Sequence, residues 1–403
     1  MQAPIVARRV SILGGMFALS LMRGPFRHAT IGVTLSVDNR KEIAMKPSLT
    51  AAVFATLIIT GAAFAQSGPV PEIKYRASAD FLKLPADLYF GEVSGVAVNS
   101  KKHIFVFSRG NTTGPAYGAA AAQLLEFGPD GKFLREIGHN LYAWSFAHDV
   151  KVDAHDNIWV TDKGSDTIVE FDPSGRVVMV FGRKQEASDE DTGPIKKVKP
   201  PKPADDGLFR QVTDVAWDAA GNTFISDGYI NSRIAKVDKD GNWLKSWGEP
   251  GDKPGQFNTP HSIATDASGN VYVADRGNRR IQVFDNDGKF LREITIDVPV
   301  PPDARQPIGS MATQTATSRK PGAPWAICIT PGPNQFLYAS DAFPGRIYKM
   351  TLDGKIVGML GKAGKQPGQF GWIHEMACPT ENELYVAEIL NWRVQRLELQ
   401  PAK

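Results

Sequence analysis

The chain has 403 residues, with Lys+Arg 46 against Asp+Glu 43, seven histidines and two cysteines. Charge this closely balanced offers no basic stripe, which argues against nucleic acid or an anionic membrane as partner. Helical periodicity is scarce, and short alternating stretches separated by DG, SG, GN and NG turns dominate, so the pattern is that of an all-β protein.

In chain order, the first 65 residues stand apart. From Met45 the sequence reads MKPSLTAAVFATLIITGAAFAQS: one lysine, an apolar stretch from Leu49 to Ile59, then Ala63-Phe64-Ala65. This is the pattern of a secretory signal peptide with a small-x-small cleavage site. A signal belongs next to a start codon, so 1–44 is expected to be a spurious upstream extension and 45–65 the signal. Residues 66–403 are then the mature domain, exported to the periplasm or secreted. Without residues 1–65 the balance becomes 39 basic against 41 acidic residues.

From about residue 90 the chain repeats one unit: a strand, a D-x-x-G-N turn, a second strand ending in an acid, a third strand, a DG turn and a fourth strand. Residues 255–294, GQFNTPHSIATDASGNVYVADRGNRRIQVFDNDGKFLREI, show it best. A single four-stranded unit cannot bury its own faces, and stacking such units in a ring is the β-propeller solution. The spacing predicts a six-bladed propeller with blades near 90–138, 142–182, 207–248, 255–296, 322–361 and 368–399. The last blade lacks a fourth strand after RVQRLEL, and the segment Glu72 to Pro85 is expected to supply it, removing an exposed edge. Insertions at 183–206 and 297–321 read as disorder or a rim covering. Cys328 and Cys378 lie on neighbouring repeats at positions of opposite strand parity, which predicts two small buried core residues rather than a disulfide.

Three histidines, His148, His261 and His374, fall 113 residues apart at the same point of alternate repeats. In the repeats between them the matching residues are Ser94, Thr213 and Trp325. In a ring, three imidazoles on alternate blades point inward and leave one tetrahedral position open. That is the catalytic rather than the structural zinc arrangement, with zinc ahead of iron or other first-row ions. The second strands run back to the same face, bringing Asp162, Asp227, Asp275 and Asp341 near the histidine layer. These acids, and Glu388 in the last repeat, read as turn acceptors that maintain the repeat. The residues beside such strand ends carry more chemistry: Arg109, Tyr229 and Arg276. Tyr229 beside a metal is a candidate base, because a nearby cation lowers a phenol pKa from about 10.

At these residues the sequence resembles peptidyl-α-hydroxyglycine α-amidating lyase and its bacterial stand-alone relatives built from NHL-type repeats. The likeness runs from about Val93 to Arg396 and is carried by VSGVAV…FSRG, SDGYINSRI and GQFNTPHSIA…VADRGNRRIQVF. It implies a zinc ion on His148, His261 and His374, catalytic roles for Arg109 and Tyr229, and a further arginine at Arg276. It also implies a structural calcium held by the backbone carbonyls of Val96 and Val150. The aspartate that follows the third histidine in the family is Glu375 here, and a methionine of the pocket wall is Trp372. The family's disulfide cysteines are replaced by Ile230, Val271 or a neighbour, and Val283. The implied reaction cleaves an α-hydroxyglycine-type substrate to an amide and glyoxylate, with Arg109 binding the substrate carboxylate or holding Tyr229 as phenolate. A monomer acting on a small-molecule or peptide substrate is expected. Two other readings stand beside it: a non-catalytic NHL propeller that binds or scaffolds in the periplasm, and a different metal-dependent propeller enzyme.

Overall fold

The computed structural model describes residues 69–110, 122–184, 201–305 and 320–400. The segment expected to be a signal peptide, the residues upstream of it and the greater part of both insertions (185–200 and 306–319) lie outside the described residues.

Those described form 24 strands in six four-stranded antiparallel sheets. Blade one holds β2 (Val93–Val98), β3 (Ile104–Ser108), β4 (Gln123–Phe127) and β5 (Phe133–Ile137). Blade two holds β6 (Ala147–Val152), β7 (Ile158–Asp162), β8 (Thr167–Phe171) and β9 (Val177–Gly182). Blade three runs through β10 (Asp214–Trp217), β11 (Thr223–Asp227), β12 (Arg233–Val237) and β13 (Trp243–Trp247). Blade four follows with β14 (Pro260–Thr265), β15 (Val271–Asp275), β16 (Arg280–Phe284) and β17 (Phe290–Ile294). Blade five has β18 (Pro324–Ile329), β19 (Leu337–Asp341), β20 (Ile347–Met350) and β21 (Ile356–Leu360). Blade six has only β22 (Ile373–Thr380), β23 (Glu383–Glu388) and β24 (Arg393–Leu399) from its own stretch of chain. Its fourth strand is β1 (Tyr75–Ser78), which pairs antiparallel with β24 from Tyr75↔Leu399 to Ser78↔Arg396. The closure expected from the Glu72 to Pro85 segment is therefore present.

The innermost strands β2, β6, β10, β14, β18 and β22 each touch the next, and β22 touches β2, so the ring is closed. Six apolar clusters fill the six gaps between adjacent blades: Phe107 and Leu124 meet Val160 and Phe171 between blades one and two, and Tyr272 and Ile281 meet Tyr348 and Met350 between four and five. A fully buried Phe or Leu contributes about 1.5–3 kcal/mol, so each blade depends on both neighbours. The turns follow their sequence. Asp266 Oδ1 accepts the Ser268 and Asn270 amides (both 2.9 Å), and Gly269 takes φ +81°.

The cysteines correct the parity argument, because Cys328 and Cys378 form a disulfide between blades five and six. Neighbouring blades turn opposite faces to the gap they share: Ala326 and Cys328 of β18 meet Met376 and Cys378 of β22, while Ile327 and Ala377 face away into the adjoining gaps. Opposite parity is therefore the condition for the two cysteines to meet.

Candidate metal centre and active site

Each histidine sits where its inner strand bulges against the second strand, with register slips at Ala147/Asp149, Pro260/Ile263 and Ile373/Glu375. A bulge lets two successive residues face the same side of a sheet. Consequently His148 and Asp149 both reach the axis of the ring, as do His374 and Glu375, and they build two stacked layers.

The upper layer is His148, His261 and His374, whose ring centroids are 4.7–4.8 Å apart. Each imidazole is oriented by the blade that follows it. His148 Nδ1 lies 2.7 Å from Thr213 O, His261 Nδ1 2.8 Å from Trp325 O, and His374 Nδ1 2.8 Å from Ser94 O. A carbonyl only accepts, so Nδ1–H is the donor and Nε2 is left with its lone pair toward the axis. Ser94, Thr213 and Trp325 occupy the histidine position of the intervening blades, so those blades supply carbonyls where the others supply ligands. All three rings are buried, which holds their pKa values well below the usual imidazole range. For His148 the neighbouring His374 adds to this, for His261 Arg276 does, and for His374 Arg109 does. His261 Nε2 is buried with no hydrogen-bond partner, an arrangement that costs free energy unless a ligand completes it. Three neutral, convergent Nε2 atoms fit a first-row divalent ion, and no cysteine or carboxylate joins them among the described residues.

Tyr229 covers this layer, with its hydroxyl 3.3 Å from His148 Nε2. Gly228 makes the approach feasible: a Cβ there would stand 1.9 Å from Pro260 O. Burial raises the phenol pKa, but Arg276, Lys163 and Arg109 outweigh it, and the net direction is downward from 10. Arg276, in the single 3₁₀ turn of the described residues (Arg276–Asn278), hydrogen-bonds the phenol and stacks 3.9 Å over the Trp325 ring. Trp372 in turn packs edge-on against Trp325 at 4.6 Å. Arg109 donates Nε–H to Ala147 O at 3.1 Å, lies 3.8 Å over the Phe146 ring and pairs with Glu92.

The second-strand acids have the expected structural role. Asp162 accepts the amides of Ser145, Phe146, Gly164 and Ser165, all at 2.9 Å. Asp227 accepts the Arg210 amide and pairs with the Arg233 guanidinium, and Asp275 accepts the Asn258 amide and pairs with that of Arg280. These bonds lock the two loops of each blade that carry the site residues.

Two parts of the site were not read from the sequence. Lys163 follows Asp162, at the repeat position that Arg109 and Arg276 occupy in their blades; applying that rule to blade two finds it. The other is the pair Asp149 and Asp214 of the lower layer, which join Glu375, the carboxylate the resemblance had indicated; the oxygens of all three lie within 4.8 Å of one another. Lys151 Nζ reaches Asp214 Oδ2 at 2.6 Å and Ile263 O at 2.8 Å. Both oxygens of Asp149 are buried without a hydrogen-bond partner. Val96 and Val150 lie one residue further along β2 and β6, fully buried. The signal for this layer is an acid directly after the histidine position in blades two, three and six.

Comparison with known proteins accords with this geometry. The NHL repeat family matches residues 257–284. Mouse peptidyl-glycine alpha-amidating monooxygenase is 33% identical over 228 residues, 51% of this chain and 22% of that protein. Human NHL repeat-containing protein 3 is 31% identical over 242 residues, 57% of this chain and 62% of that one. A probable peptidyl-alpha-hydroxyglycine alpha-amidating lyase of Caenorhabditis elegans is 30% identical over 211 residues, covering 48% and 55%. The chain is a six-bladed propeller that carries an NHL repeat and is similar in sequence to proteins named as amidating enzymes and lyases. It matches about a fifth of the length of the mouse monooxygenase. Among solved structures, a gluconolactonase from Xanthomonas campestris superposes with TM-score 0.51 at 13% identity, covering 83% of this chain and 99% of that one, a likeness of fold alone.

Proposed function

We propose that this NHL-repeat propeller is a zinc-dependent lyase that cleaves the N–C bond of α-hydroxyglycine-type substrates to an amide and glyoxylate. The observation that carries the reading is the Tyr229 hydroxyl 3.3 Å from His148 Nε2, with Arg276 hydrogen-bonded to the same phenol. When bound to the three Nε2 atoms, a divalent ion supplies Lewis acidity that lowers the pKa of a hydroxyl beside it. Tyr229, held as phenolate by the surrounding cations, takes the proton of the substrate's α-hydroxyl. As that oxygen forms the aldehyde C=O, the C–N bond breaks and the proton passes from Tyr229 to the departing amide nitrogen. No water is consumed, so the step is an elimination. Arg276 binds the substrate carboxylate, a task that suits a planar, permanently charged fork. Arg109, tied to Ala147 O beside His148, keeps the phenol in a positive field. Trp325 and Trp372 hold Arg276 in place and close the pocket wall.

The lower layer suits a hard cation, and we assign calcium to it. Three carboxylates face one ammonium, and a divalent ion would balance the remaining charge. The carbonyls of Val96 and Val150 and the carboxylate of Glu375 are its implied ligands, and Asp149 is added to them here. Export is proposed as well: the signal-like segment supports it, and so does a disulfide, which persists in oxidising compartments.

The test uses the mature protein, residues 66–403, incubated with α-hydroxyhippurate, with glyoxylate release measured against His261→Ala as blank. Metal-dependent release above the blank is expected. Absence of release from protein that carries zinc would end the lyase reading.

A further inference from the structure

Blade five departs from its neighbours at one arginine. In blades three, four and six the third strand opens on an arginine whose Nε pairs with the acid of the second strand. Arg233 meets Asp227 at 3.1 Å, Arg280 meets Asp275 at 2.9 Å and Arg393 meets Glu388 at 2.7 Å. Arg346 stands at the same distance after Asp341 as Arg280 does after Asp275. There, however, Tyr348 takes the acid, its hydroxyl donating to Asp341 Oδ2 at 2.9 Å. Blades four and six place Gln282 and Gln395 at that position, and these share the acid with the arginine. Arg346 is left with two neutral partners, the Pro299 carbonyl at 3.0 Å and the Tyr348 hydroxyl, and pairs with no carboxylate among the described residues.

Arg346 is only 7% exposed, yet it lines a cleft of about 800 Å³ between blades five and six. None of the three histidines, Tyr229 or Arg276 lines that cleft, so it is separate from the metal centre. Pro344, Met359 and Leu390 give it an apolar wall. Arg305, Lys362 and Lys365 also line it and outnumber its two acids, Glu72 and Asp303. A buried guanidinium without a counter-charge costs free energy that an anionic ligand would offset. Its planar fork suits a carboxylate bidentately, and a cleft of this size takes a ligand whose apolar body is oriented by a few polar contacts. One buried fork beside apolar walls matches the single charge of a carboxylate better than the two of a phosphate. We propose that this cleft binds a small organic acid with an apolar body, its carboxylate held by Arg346, independently of any reaction at the histidines.

The experiment is calorimetric titration of the metal-loaded protein with 4-phenylbutyrate, its neutral amide 4-phenylbutyramide, and 3-phenylpropyl phosphate. The wild type is expected to bind the acid about tenfold more tightly than the amide, or better, the size of one charge-assisted hydrogen bond. The phosphate should bind no more tightly than the carboxylate. Arg346→Gln should abolish the preference for the acid, and Arg346→Lys should restore only part of it, because an ammonium lacks the fork. Leu390→Glu places a carboxylate on the partly exposed wall of the cleft and should also remove the preference, with Arg346 and its bond to Pro299 intact. That variant decides the matter if Arg346→Gln fails to fold. Equal binding of acid and amide by the wild type, binding of neither, or tighter binding of the phosphate overturns the proposal. So does a preference that persists in either folded variant, which would place the carboxylate on the metal instead of in the cleft.

Discussion

Two layers, one residue apart along β6 and β22, face the same axis and differ in almost every chemical respect. The upper layer is three neutral imidazoles on alternate blades, each fixed by a carbonyl of the next blade and covered by Tyr229. The lower is three carboxylates on blades two, three and six, with Lys151 among them. Imidazole donors with an open side suit a borderline ion that does chemistry; a closed oxygen cage suits a hard ion that holds the ring together. The contrast teaches that one bulge in β6 and one in β22 let successive residues of different type serve both sites, while Asp214 joins the lower one from the regularly paired β10.

The largest expected effect comes from the upper layer. His261→Ala should lose the first-row metal and, with it, about 10³-fold or more in turnover, while calcium content stays at the wild-type level. Elemental analysis beside the glyoxylate assay checks this. Simultaneous loss of both ions would show that the layers are not independent. Tyr229→Phe comes next. It should keep full metal occupancy and lose about 10²-fold or more in kcat, the usual contribution of a positioned general base. Near-normal turnover in that variant would remove Tyr229 from the chemistry.

The lower layer should respond in stability rather than rate. Calcium is expected to raise the melting temperature of the wild type by about 3–6 °C at saturating concentration. Asp149→Asn should remove most of that rise, with zinc content and glyoxylate release unaffected. A variant that gained as much from calcium as the wild type would take Asp149 out of the cation site.

The two layers were unequally legible. The ring, its six blades, the strand that closes it and the three histidines follow from a repeat period and a 113-residue spacing, both linear properties of the chain. Asp149 was hidden by the strict alternation assumed for a strand: if His148 faces the axis, its successor should face away. The bulge at Ala147/Asp149 breaks that rule, and a bulge leaves no residue signature in AHDVKV. Asp214 was hidden for another reason, because it precedes no ligand and follows Thr213, the position where histidine is missing. The disulfide was misread on a parity argument too, because neighbouring blades turn opposite faces to their shared gap and residues of opposite parity meet there. Glu375 was reached only through resemblance. Lys163 stood in plain view after Asp162, but a lone lysine in a loop has too many solvated precedents to be singled out.

The smallest expected effect tests the frame that holds both layers in register. Asp166 lies in the left-handed region (φ +58°) at the turn after β7, and its carboxylate accepts the Gln211 amide. Gln211 in turn accepts the amide of Tyr229 at 3.3 Å. Burial pushes the Asp166 carboxyl up to about 7, against the Gln211 bond, which lowers it. In the unfolded chain the group ionises near 4, so between roughly pH 4 and 7 the folded state holds a proton that the unfolded state has released. Stability from this group is therefore fully present below about pH 4 and is lost as pH rises through 7. Asn carries no charge, tolerates the same left-handed backbone and keeps an acceptor oxygen for Gln211. Asp166→Asn should accordingly gain on the order of 1–3 kcal/mol at pH 8 and nothing at pH 4. Denaturant midpoints at the two pH values decide it. A gain of equal size at both would place the effect in the turn geometry rather than in the buried charge.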